Sequence, residues 1–164
     1  MDSLTELSNI LWRQRRALEQ LLYKLEVQQL VLASGRTRWL GVAAEDTERV
    51  LQQMRDTELR RAIHAGIVAT QLGLSDVEPT LNQLIVAAPA PWDSILREHQ
   101  DAFMTMTAEV DELTRANTEL LTKGYHATRD FLAALQGTAA VDGYSAAGRA
   151  QTFNSKTHLV DTAF

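Results

Sequence analysis

The stretch LTELSNILWRQRRALEQLLYKLEVQQLVL, residues 4–32, places leucine at positions 4, 11, 18, 25 and 32. A strict seven-residue apolar repeat makes a helix lay one seam against neighbouring helices along its length. The other half of the seam reads Leu7, Gln14, Leu21, Gln28, alternating apolar with polar. A longer copy of the pattern occupies residues from about 92 to 135. The chain is therefore expected to be all-α and built from long packed rods.

The spacing predicts a first helix over residues 3–33, capped by Asp2 or Ser3 and ended by Ser34-Gly35. So short a connection turns the next helix, 40–72, back antiparallel. Its inner stripe is expected at Ala43, Thr47, Val50 and Met54, then Leu59, Ala62, Ile63, Gly66 and Ile67. On its outer face, Glu45 with Arg49 and Asp56 with Arg60 stand in the favourable acid-before-base order. Gly73 stops that helix. Ser75-Asp76-Val77-Glu78 has capping-box spacing, with Pro79 in the first turn of a short helix reaching about residue 87. Pro89-Ala90-Pro91 breaks the chain again. Asp93 or Ser94 then caps the third long helix, whose seam runs Leu96, His99, Phe103, Met106, Val110, Leu113, Asn117, Leu120, Gly124, Ala127, Phe131, Ala134. The steps alternate three and four, and Asn117 is placed to fix register.

After Gly137 the residues turn to Ala, Gly, Ser and Thr without sustained periodicity. The expected architecture is an elongated antiparallel coiled-coil bundle, residues 1–137, of three long helices plus one short one. A flexible tail, 138–164, follows and orders on binding.

A chain of 164 residues suffices for one core. With 16 basic and 21 acidic side chains the net charge is -5, the wrong sign for a phosphate-binding surface. No nucleic acid is expected, and Arg13, Arg15 and Arg16 read as a solvated face. The absence of cysteine excludes disulfides and thiolate metal sites. Nothing resembles a cleaved signal, and the most apolar stretch, 84–92, contains two prolines and is too short to span a bilayer. The expected location is the cytoplasm, without stable membrane insertion.

Chemistry is sparse. Gly143 to Ala150 imitates a phosphate loop, but Arg149 and Ala150 stand where lysine and a hydroxyl are needed. The histidines, His64, His99, His126 and His158, include no i,i+4 pair and no Glu-x-x-His motif. There is neither a Gly-x-Ser-x-Gly elbow nor a thiol nucleophile. Trp12, Trp39 and Trp92 flank helix ends and turns, where packing is their default role. No catalytic residue, cofactor, metal or small-molecule substrate is expected.

The order of long helix, glycine turn, long helix, proline-broken short helix, long helix and loose tail resembles the FlgN-like flagellar export chaperones. Leu18-Glu19-Gln20-Leu21-Leu22-Tyr23-Lys24-Leu25-Glu26 and Ala33-Ser34-Gly35-Arg36-Thr37-Arg38-Trp39-Leu40 look like the actinobacterial version of that family. Ala88-Pro89-Ala90-Pro91-Trp92 and Asn117-Thr118-Glu119-Leu120-Leu121 add to the match, which extends to about Arg149. The resemblance implies a cytoplasmic, non-enzymatic chaperone. Such proteins bind the C-terminal helical segments of hook-associated (hook–filament junction) proteins, keep them unpolymerised and deliver them to the flagellar type III export gate. It further implies gate docking through Tyr144-Ser145-Ala146-Ala147-Gly148, with Tyr144 and Gly148 as the residues concerned.

A chaperone of amphipathic helices needs an equivalent apolar surface, helix against helix. The expected client-binding residues are Phe131, Leu132, Leu135 and Val141. Leu132 lies off the seam, whereas Phe131 is equally well read as core. The rival reading is a structural coiled-coil scaffold or secretion-apparatus subunit that releases no client. Leu18→Asp is expected to collapse the fold by putting an unpaired charge on the seam.

Overall fold

The computed structural model describes residues 2–75 and 78–141, with backbone alone for residue 2 and for 137–141. Every regular element described is helical: α1 (Asp2–Ala33), a 3-10 turn (Thr37–Trp39), α2 (Leu40–Gln71), α3 (Leu81–Ala87) and α4 (Trp92–Val141). The chain divides into two compact units, Met1–Leu121 and Thr122–Phe164.

Within the first unit, three side-chain contacts set the direction of α2. Ser3 donates to Gln71, Gln14 to Glu58 at 2.6 Å, and Lys24 to Asp46 at 2.8 Å. As one helix advances the other retreats, so α1 and α2 are antiparallel. Two contacts do the same for α4. Ser8 meets His99 at 3.3 Å, and Asn117 Nδ2 donates to the Leu25 carbonyl at 2.9 Å. Here both helices advance together, so α4 runs parallel to α1 and antiparallel to α2. The bundle is up-down-up, with α3 folded into the return.

Its core is the leucine seam. Leu4, Leu7, Leu11, Leu18, Leu21 and Leu25 are all buried, and Ile10 joins them. One cluster packs Leu4, Leu7 and Leu11 against Ala65, Val68 and Ala69 of α2, Leu84 and Ile85 of α3, and Leu96 of α4. A second gathers Leu21, Leu25 and Val50, with Leu51, Met54, Val110 and Leu113 packed around them. Burying each large side chain contributes about 1.5–3 kcal/mol, which makes these clusters the main source of stability. Leu32, the fifth leucine, is only half-buried, because the core gives out near the α1–α2 turn.

Both glycine turns are as the sequence requires. Gly35 and Gly73 take φ values of 67° and 75°, a left-handed region costly for any residue with a Cβ. After Gly73, Leu74 donates to Ala69 at 2.9 Å and Gly73 to Thr70 at 3.2 Å, the paired bonds that close off helical carbonyls.

Several expectations need correcting. Asp2 lies inside α1 rather than capping it. The cap of α3 is Thr80, not Ser75: Gln83 N–H donates to its hydroxyl at 3.3 Å, and its own N–H donates to Gln83 Oε1 at 2.7 Å. Threonine and glutamine three apart satisfy the same box, and Pro79 then precedes the cap. α4 begins at Trp92, ahead of Asp93 and Ser94, and continues helical past Gly137 to Val141. The expected Glu45–Arg49 and Asp56–Arg60 pairs give way to Arg49 with Asp46 and Gln52 donating to Asp56. Asp46 holds Arg49 together with Lys24 of α1, whose hydrogen bond first of all keeps its carboxyl below the usual range.

The inner stripe of α2 is also redrawn. It matches expectation at Ala43, Thr47, Val50 and Met54, then continues through Thr57, Arg61, Ala65, Val68 and Leu72. Leu59, Ala62, Ile63 and Ile67, expected inside, are exposed. The three-four stepping does not break; it passes through polar residues, and the apolar row that misleads lies on the opposite face of the helix.

His99 is 1% exposed, with its ring edge-on to Trp12 and stacked on Phe103. Its Nδ1 has no hydrogen-bond partner among the described residues. Burial foremost, and then the nearby Arg15 charge, lowers its pKa, with Glu98 opposing. The native ring is therefore neutral in a range where the unfolded chain already binds a proton. Stability from this group is complete above about pH 6.5 and declines as pH falls through the lower native value. Stability, read from melting curves, is expected to fall as pH drops below about 6.5, with a slope of at most about 1.4 kcal/mol per pH unit. His99→Leu should flatten that slope. The lowered carboxyls of Asp46 and Glu58 act only below about pH 4.5, so the two effects separate in a melting series.

Candidate functional site

Residues 122–141 of the second unit are helical, and every side chain described there, 122–136, is exposed. Four of them are large and apolar: Tyr125 at 66%, Phe131 at 64%, Leu132 at 53% and Leu135 at 50%. At 3.6 residues per turn they fall within an arc of about 120°, while Lys123, His126 and Asp130 take the other side. A helix displaying one apolar face to water is half of a helix-to-helix interface.

Of the residues expected to bind a client, the structure thus places Phe131, Leu132 and Leu135 on one exposed face, and Tyr125 joins them. Phe131 is exposed, which removes the alternative reading of it as core. Val141 closes α4 and only its backbone is described. Tyr144 and Gly148, expected at the export gate, lie outside the described residues, as does all of 142–164.

A second feature was not foreseen from the sequence. In the first unit, α2 and α4 flank α1 without closing over it, leaving a groove of about 1010 Å³. Leu11 and Leu18 floor it, Leu51, Met54 and Ala65 line one wall, and Phe103 and Thr107 the other. Its rim is polar and internally neutralised. Arg61 donates to Glu58 through Nε at 2.9 Å and through a second bond, and Gln14 donates to the same carboxylate. Arg61's bonds foremost hold the Glu58 carboxyl below its usual range, and Glu58 in turn raises the Arg61 pKa. The signal for it in the sequence is Arg61, a charged residue at a seam position of α2.

Among the described residues, no group of three or more potential ligands could hold a metal ion, and no helix is long and apolar enough to cross a membrane. The family described as FlgN protein matches residues 1–152. No curated protein and no solved structure matches the chain. The family match spans both the leucine-seam bundle and the exposed face of α4, and the chain belongs to the FlgN family of flagellar export chaperones.

Proposed function

We propose that this chaperone binds the C-terminal helical segments of hook-associated proteins in the cytoplasm, keeps them from polymerising and delivers them to the export gate. Catalysis plays no part in the reading. The observation that carries it is the exposed face of α4, with Phe131, Leu132 and Leu135 beside Tyr125. Junction proteins that assemble through amphipathic helices are adhesive while unpaired, and a helix with a matching apolar face can cover them. A few such side chains give useful affinity after ordering costs, yet leave the complex releasable. Val141 extends the client surface, and Tyr144 with Gly148 docks on the gate. In this reading residues 1–137 form the bundle and 138–164 the tail, whose first four residues continue α4 and whose remainder, outside the described residues, orders when a partner binds.

Hydrogen exchange over residues 125–164, with and without the C-terminal fragment of a hook-associated protein, tests the assignment. Protection is expected at 125–141 on adding the fragment. Unchanged exchange there would remove the site. A permanent oligomer that ignores the fragment would favour a scaffold subunit instead.

A further inference from the structure

The α1–α2 turn has a composition unlike the rest of the chain. Residues 27–44 contain no acidic side chain and two basic ones, Arg36 and Arg38. Taking their +2 from the total of -5 leaves -7 on the remainder. The adjoining segments are acidic on balance, since Glu26, Glu45, Asp46 and Glu48 outnumber Lys24 and Arg49, both of which Asp46 holds. The tip itself, residues 27–44, is thus a net-positive patch between acidic flanks.

The same tip is apolar and uncovered. No side chain between Leu25 and Ala43 is buried. Leu30 is 69% exposed, Trp39 49% and Val42 51%. The 3-10 turn holds Trp39 in place, its N–H donating to the Arg36 carbonyl at 3.1 Å, and the Arg38 guanidinium sits 5.0 Å from the centre of the Trp39 ring. A tryptophan with arginine beside it is an amphipathic pair suited to a boundary between water and hydrocarbon.

We propose that this turn is a docking surface for an anionic phospholipid bilayer. Trp39, Leu30 and Val42 enter the interfacial layer while Arg36 and Arg38 engage headgroup phosphates. The charge distribution selects this occupant. Two copies meeting tip to tip would set four arginines together, and two basic residues are too few for a nucleic-acid footprint. A turn between two helices is convex, so it meets a broad surface more readily than it cradles a helix. Binding is peripheral, reversible and salt-sensitive, since each arginine near an anionic surface contributes about five-fold.

Flotation of the full chain with vesicles tests this. Vesicles of phosphatidylcholine containing one-third phosphatidylglycerol should carry the protein at low salt, and those of phosphatidylcholine alone should not. Arg36→Gln with Arg38→Gln should weaken binding about 30-fold, with an unchanged circular dichroism spectrum. Tryptophan emission should shift to the blue on the anionic vesicles, and Trp39→Phe should abolish the shift. Equal binding to neutral vesicles, or none to anionic ones, overturns the proposal. So does a Trp39-dependent dimer in sedimentation, which would make the tip a self-association surface. Arginine-dependent capture of an acidic peptide without vesicle binding would assign it to a protein partner instead.

Discussion

Leu7→Asp is expected to leave the protein unfolded at room temperature. Leu7 is 1% exposed in the cluster that joins α1, α2, α3 and α4. Truncating such a leucine costs about 2–5 kcal/mol from the lost transfer energy and the cavity. A carboxylate there adds the cost of an unpaired buried charge, against a total stability of roughly 5–15 kcal/mol. Circular dichroism on heating is the measurement, and a cooperative, native-like melt would contradict the core described above. Leu18→Asp is the milder variant, because Leu18 floors the groove between α2 and α4, where water can reach a carboxylate.

Phe131→Asp combined with Leu132→Asp is expected to abolish client capture while leaving the melting curve in place. Both side chains are already more than half exposed, so the folded state loses little burial. In a complex each would contribute about 1.5–3 kcal/mol, or roughly 10- to 150-fold in affinity, and charges on the face oppose docking outright. Titration with a C-terminal fragment of a hook-associated protein should show at least about 100-fold weaker binding. Retained affinity would move the client site elsewhere, and the groove is then the next place to look. The Leu7 and Phe131 results together separate what holds the bundle from what faces a partner.

Most of the fold was legible because heptad spacing is a local signal. The leucines of α1 and the stepping of α4 from Leu96 to Asn117 each report a seam without reference to anything distant. Asn117 was readable as a polar core residue, and its bond to the Leu25 carbonyl shows what it grips. α2 was harder. Its seam passes through the half-buried polar residues Thr57 and Arg61, the latter on the rim of the groove, whereas Leu59, Ile63 and Ile67 mark a face nearly half a turn away. The cap of α3 was misplaced because two candidate boxes stood five residues apart, and Thr80 won where the chain turns inward.

Helix identity, helix length and the glycine stops followed from residue order alone, since periodicity and backbone sterics act within a few turns of chain. Which helices run parallel, why α2 and α4 fail to close over α1, and whether Phe131 meets core or water depended on how distant segments stack. Side-chain burial is a property of neighbours, and only assembled helices supply them.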